Sequence, residues 1–221
     1  MALTYAIGDI HGSLHKLERL MARCEQHARG RPMSLVFLGD YIDRGPQSSG
    51  VVDFMLALQS RLADRVVALK GNHEAMLLSI IDGTGAASAP AWFMQGGAAT
   101  LESYGVGHPS ELPPPHVEWL RSLRLSFDDG RRFFVHAGVD PELPLDAQKE
   151  SDLIWIREPF LSFGGDYGRL IVHGHTPLPS GEPDLRPNRL NIDTAAVFGG
   201  PLTAAVFDEA RTEPIAYLQA D

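Results

Sequence analysis

A chain of 221 residues, 44% of them hydrophobic, has enough apolar material for one ordinary core and too much for a disordered chain. Its formal charge of −9 excludes a broad nucleic-acid-binding surface; an anionic substrate would need a local source of positive charge, which divalent cations held by clustered carboxylates can supply. No apolar run is long enough to cross a membrane and no cleavage site follows the first strand, so we expect one cytoplasmic domain over 1–221 without membrane contact, a monomer or weak oligomer.

Thr4–Ile7 is a short β-type run that ends in GDIHG, Gly8–Gly12, and Ser13 then offers an N-cap. Leu14, Leu17, Leu20, Met21 and Cys24 recur at helical spacing, which predicts a helix from Leu14 to His27 with the single cysteine as buried filler rather than a nucleophile. Leu35–Leu38 is the next strand, GDYIDRG (Gly39–Gly45) its loop, and Val51, Phe54, Met55, Leu58 and Leu62 the next helix. Arg65–Leu69 gives a third strand, followed by GNHE (Gly71–Glu74) and a helix carrying Ala75, Leu77, Leu78 and Ile81. Three such units predict a parallel βαβαβ layer with all three loops on one sheet edge.

Asp82–Pro115 is rich in Gly, Ala and Pro and reads as a small helical insertion over the site, with helical pieces at Trp92–Met94 and Ala98–Tyr104, before a short helix over His116–Leu123. Leu125–Asp128 and Arg131–Val135, joined by Asp129 and Gly130, predict a hairpin. Leu170–Val172, Arg189–Ile192, Thr203–Phe207 and Ile215–Leu218 are further strands, with a turn of helix near Asp152–Ile156 and a terminal hairpin turn at Asp208–Thr212. The second half is therefore expected to be mostly a β layer packed on the first.

The predicted strand ends present Asp9 and His11, then Asp40 and Asp43, then Asn72 and His73, then His136, then His173 and His175. Oxygen and imidazole donors from five separate strand ends are what a two-metal hydrolytic site requires. In GDIHG the carboxylate and imidazole are two residues apart, so an extended segment would point both to one side and let them chelate one ion. In GNHE the loop enters a helix, so adjacent side chains diverge and one can bind metal while the other faces substrate. Singly, each motif reads as a polar turn or a hydrogen-bonded core histidine, and Glu74 as a favourable charge at a helix N-terminus. Five in this order, each after a predicted strand, point to function.

GDIHG, GDYIDRG, GNHE, HAG (His136–Gly138) and GHT (Gly174–Thr176) resemble the signature of the PPP-type metallophosphoesterases, the serine/threonine protein phosphatase family with bacterial and phage members. IDTAAVFGG, Ile192–Gly200, is similar to the segment that follows GHT there. The resemblance implies an α/β fold, a two-layer β-sandwich flanked by helices. It implies two divalent metal ions, manganese first, with iron, zinc, nickel or cobalt as alternatives. It places Asp9 and His11 on the first metal, Asp40 as the bridge, and Asn72, His136 and His175 on the second. His173 falls where no ligand is expected. His73 becomes the general acid oriented by Asp43, and Arg44 and Arg157 hold phosphoryl oxygens, with Arg157 the weaker match to the family pattern.

The implied reaction is in-line attack of a metal-bridging hydroxide on a phosphoserine- or phosphothreonine-type ester, in a phosphorylated protein or a small phosphoester. The alternative is a symmetrical bis(5'-nucleosyl)-tetraphosphate hydrolase. Asp43 and the Glu of GNHE favour the first, because the tetraphosphatases resemble GDLVARG and GNHD at those places. The reading from another class is a catalytically silent binding module, which the filled set of chemical positions disfavours.

Overall fold

The computed structural model describes residues 2–85 and 87–221; Ala86, within the expected insertion, lies outside them. Strand β1 (Leu3–Ile7), helix α1 (Leu14–Ala28), β2 (Met33–Phe37), α2 (Ser48–Leu62), β3 (Val66–Ala68) and α3 (Asn72–Asp82) form the expected βαβαβα run. Helices α4 (Ala89–Met94), α5 (Gly97–Tyr104) and α6 (Pro114–Arg121) follow. Then come β4 (Ser126–Asp128), β5 (Arg132–Val135), α7 (Glu150–Trp155), β6 (Leu170–His173), β7 (Asp184–Leu185), β8 (Arg189–Asn191), β9 (Leu202–Asp208) and β10 (Ala216–Ala220). None of the described helices is long and apolar enough to cross a membrane.

Among the described residues, ten strands divide into two sheets of five, ordered β10-β9-β1-β2-β3 and β4-β5-β6-β8-β7. Each has three parallel strands, β1-β2-β3 in one and β5-β6-β8 in the other, with antiparallel neighbours outside them. The β4-β5 hairpin forms across Gly130 as expected. The last two strands correct the expectation that the second half forms its own layer: β9 pairs with β1 and β10 with β9, so both complete the first sheet. The apolar run Leu202–Phe207 fits any sheet interior buried on both faces, and its pattern carries no information on which sheet takes it.

Side-chain alternation produces the layers. On the first sheet, Tyr5, Ile7, Leu35 and Phe37 face α1 and α2, while Ala6, Val36, Ala205 and Phe207 face the second sheet. On the second sheet, Phe134, Val172 and Leu190 face inward, and Phe133, Val135 and Ile171 pack outward with Leu153 and Ile154 of α7. The result is a two-layer sandwich flanked by helices. Cys24 is buried on α1, and burial followed by the nearby Glu25 pushes its thiol up to about 12, so it stays protonated and inert. Ser13 holds the N-cap position of α1 but forms no capping bond with its side chain.

Phe134 lies at the centre of the inter-sheet layer, fully buried, its ring centroid 5.9 Å from Phe127 and 6.1 Å from Phe207. Phe134→Ala should cost about 3–5 kcal/mol, because the two sheets cannot collapse into the void. Urea denaturation measures this directly, and a loss below ~1 kcal/mol would mean that this layer does not hold the sheets together.

Candidate metal centre

Six parallel strands, three from each sheet, end at one edge of the sandwich. Their C-terminal loops carry GDIHG, GDYIDRG, GNHE, HAG, GHT and the Asp193 segment, in the crevice where parallel sheets gather their chemistry. The two sheets are tied here by polar contacts: His136 Nδ1 lies 2.9 Å from the Leu38 carbonyl, and the His175 N–H donates to both Asp9 oxygens, at 3.1 and 3.3 Å.

The backbone is strained where the functional groups are. Eight described non-glycine residues have positive φ, and five of them are His11, Asp40, Asp43, Arg44 and His175. Such positions cost of order 1–3 kcal/mol each and persist only where the surroundings enforce them. Two glycines make room instead. A Cβ at Gly71 would lie 2.0 Å from Asp40 Oδ1, and one at Gly174 would lie 2.0 Å from Asp9 Oδ1, so neither loop tolerates a side chain beside its carboxylate.

Asp40, 2% exposed, stands between two sets of imidazoles. Its Oδ2 is 3.3 Å from His11 Nε2 and 3.9 Å from His73 Nε2; its Oδ1 is 3.4 Å from His136 Nε2. Two clusters share this carboxylate, His11–Asp40–His73 and Asp40–His136–His175, each with one donor atom per residue within 4.8 Å of the others. Asn72 joins the second through Oδ1, 2.9 Å from His136 Nε2 and 3.0 Å from His175 Nδ1.

The donor set fits cations. His136 donates its Nδ1–H to the Leu38 carbonyl, which leaves Nε2 with a lone pair facing the oxygens of Asn72 and Asp40. Burial pushes the His136 imidazole below its usual range, and burial, followed by the neighbouring His136, pushes His175 down to about 3, so both rings favour the neutral form that offers a lone pair. Burial, then the Asp193 and Asp40 charges, raise the Asp9 carboxyl well above the ordinary range. Lone pairs and carboxylates converge with few compensating donors, and divalent ions are what such an arrangement binds.

Asp9 itself lies outside both tight clusters, and GDIHG is not the extended segment expected from its spacing. The chain turns left-handed at His11, φ 44°, so the Asp9 and His11 side chains do not leave a common strand face. His11 instead donates Nδ1–H to the Ile42 carbonyl at 2.8 Å, while its Nε2 accepts from Arg44 at 2.7 Å. Arg44 must release this nitrogen before it can take a metal.

GNHE behaves as its position at a helix start predicts. Asn72 points to His136 and His175, whereas His73 points the other way, its Nδ1 2.7 Å from Asp43 Oδ2 and its buried Nε2 without a hydrogen-bond partner among the described residues. Two residues have more to do than their sequence context predicted. Glu74 accepts from four backbone N–H groups, those of Gly71, Asp40, Tyr41 and Ile42, at 2.8–3.3 Å, and so fastens GDYIDRG to the start of α3. Burial, then the Asp40 charge, push its carboxyl up to about 8 against the pull of those donors. Asp193, 4% exposed, follows β8 as the other motifs follow their strands, and that recurrence is the signal that marks it.

Arg44 and Arg157 line one cleft of about 800 Å³ together with Asp40, Asn72 and His175. The Arg44 guanidinium lies 5.4 Å from the centroid of Phe198, and Asp152 and Glu158 also face the cleft. His173 is fully buried away from the clusters, edge-on to Phe160 at 4.9 Å, and burial followed by the Arg189 charge pushes it down to about 3.

Comparison with known proteins agrees with this geometry. The calcineurin-like phosphoesterase family profile matches residues 3–201. The chain is 32% identical to serine/threonine-protein phosphatase 1 of Salmonella typhimurium, over 91% of this chain and 90% of the relative. It is 28% identical to the asymmetrical bis(5'-nucleosyl)-tetraphosphatase PrpE of Anoxybacillus flavithermus, over 93% and 91% respectively. The solved structure of a candidate diadenosine tetraphosphatase superposes with a TM-score of 0.72 at 25% identity, covering 99% of this chain and 94% of that one. With these matches running across the two sheets and every motif of the sheet edge, the chain belongs to the calcineurin-like phosphoesterases, metal-dependent hydrolases of phosphoric esters.

Proposed function

We propose that the chain is a phosphomonoesterase for phosphoserine- or phosphothreonine-type esters. One observation carries the choice of substrate class: His73 is held by Asp43 at 2.7 Å with its second nitrogen free beside Asp40. A positioned acid matters most when the leaving group is a strongly basic alkoxide, and is then worth roughly 10² to 10⁴ in rate. A nucleotide leaving from a tetraphosphate is a far weaker base and gains little from it. The cleft supports the same reading, because its Arg44 and Arg157 are offset by Asp152 and Glu158 and leave little net positive charge for a polyphosphate.

In this reading Asp9 and His11 would hold one metal and Asn72, His136 and His175 the other, with Asp40 serving both and manganese the first candidate. When bound, such ions supply a hydroxide at neutral pH and positive charge opposite the phosphoryl oxygens. Arg44 and Arg157 orient the phosphoryl group and offset the charge that grows on it in the transition state. His73 gives its Nε2 proton to the departing alkoxide while Asp43 supports the ring through Nδ1.

The second reading is a dinucleoside tetraphosphate hydrolase. It is favoured by the PrpE-type relative and by the superposed candidate diadenosine tetraphosphatase, whose named substrates belong to those proteins. Turnover of a phosphoserine peptide and of diadenosine tetraphosphate, side by side with manganese, separates the two. We expect kcat/KM on the peptide to be at least about tenfold higher, a difference of about 1.4 kcal/mol in transition-state binding, and the reverse order would favour the second reading.

Asp40→Asn should lose activity by several orders of magnitude and bind less metal by plasma emission, since an amide cannot supply the charge two cations share. Near-wild-type turnover at full metal content would remove the bridge. Arg157→Ala should lower kcat/KM by roughly tenfold to a thousandfold, about 1.4–4 kcal/mol. Kinetics equal to wild type would leave the phosphoryl group to Arg44 alone.

A further inference from the structure

Asp43 has more partners than a carboxylate that only serves His73 needs. It is fully buried, and no lysine or arginine pairs with it among the described residues. Its Oδ2 accepts from the Trp92 indole N–H at 2.7 Å as well as from His73, and its Oδ1 accepts from the Thr100 hydroxyl at 2.6 Å. The Asp43 N–H returns a bond to Thr100 Oγ1 at 2.9 Å, which holds this residue in its left-handed conformation, φ 69°.

Both extra donors come from the insertion, Trp92 from α4 and Thr100 from α5. Trp92 is 0% exposed and sits so close to Gly97 that a Cβ there would lie 2.3 Å from the indole. The turn between the two helices also accepts the Arg44 N–H at the Gly96 carbonyl, 3.1 Å away. A buried indole and a buried hydroxyl aimed at one carboxylate do not arise from packing alone, because each polar group must be desolvated to reach it.

We infer that Trp92 and Thr100 are positioning residues for the proton-donating pair, so that the insertion is a working part of the hydrolytic site. Neutral donors on both oxygens fix the carboxylate plane without a paired lysine or arginine, so that one lone pair of Oδ2 stays on His73 Nδ1. His73 Nε2 is thereby kept facing Asp40 and the departing group. The inference rests on the proposed role of His73 as the acid.

The test uses Trp92→Phe and Thr100→Val in the manganese-loaded full chain, with His73→Asn as reference and Thr100→Ser as the variant that keeps the hydroxyl. Each is measured on a phosphoserine peptide and on p-nitrophenyl phosphate, whose leaving group hardly needs a proton, together with metal content. Trp92→Phe and Thr100→Val should lose about tenfold to a hundredfold in kcat on the peptide, a fraction of the whole acid contribution, and no more than about threefold on the nitrophenyl ester. Metal content should match wild type, and Thr100→Ser should recover most of the peptide activity. Equal losses on both esters, loss of metal, or no loss on either would overturn the inference. If His73→Asn shows the bias toward the peptide while the other two do not, only the clamp is wrong. If His73→Asn itself shows no bias, the acid role and the clamp fail together.

Discussion

Five carboxylates, Asp9, Asp40, Asp43, Glu74 and Asp193, are buried at one edge of this protein, each no more than 4% exposed. An ionised carboxylate out of water is costly unless its lone pairs are satisfied, and the structure satisfies these five in different ways. Glu74 takes four backbone N–H groups, Asp43 takes an indole, a hydroxyl and an imidazole, and Asp193 accepts the Ala195 N–H. Asp9 and Asp40 receive less than Glu74 and Asp43 do: the His175 N–H for one, and the His73 N–H with facing imidazoles for the other. Asp9 and Asp40 are also the two that the resemblance to the family assigns to divalent cations.

Building such an edge requires a scaffold that tolerates strain. Two sheets packed through Phe134, Val172, Leu190, Ala6 and Val36 hold six strand ends in place. The loops leaving them can therefore adopt left-handed turns at His11, Asp40, Asp43, Arg44 and His175. Glycines at 71 and 174 let backbone come within contact of Asp40 and Asp9. The sandwich core thus stabilises a local geometry that no loop would adopt alone.

Much of this was legible before any coordinates. The first three βα units stand out because helical and strand periods alternate cleanly from Leu3 to Asp82, and each polar motif sits where a strand period stops. The convergence of the candidate site residues was legible for the same reason, since parallel strands deliver their ends to one edge. Other features were hidden. A run such as Leu202–Phe207, buried on both faces, has no polarity to say which sheet it joins. The left-handed turn at His11 leaves no trace in a spacing argument, because positive φ at a non-glycine is imposed by tertiary contacts such as the His11 bond to Ile42. Trp92 and Thr100 read as ordinary members of short helices, and only the folded chain brings them 49 and 57 positions back to Asp43.

The insertion braces Arg44 through Gly96 and Asp43 through Trp92 and Thr100, so elements that would otherwise be called a cover are connected to the groups proposed to hold phosphate and deliver a proton. The proposed mechanism depends on two ions sharing Asp40. Anomalous diffraction from crystals grown with manganese tests that most directly. The account predicts two manganese peaks, both bound to Asp40, one also to Asp9 and His11 and the other to Asn72, His136 and His175, with His73 unliganded. A single peak, or His73 Nε2 bound to either ion, would contradict it.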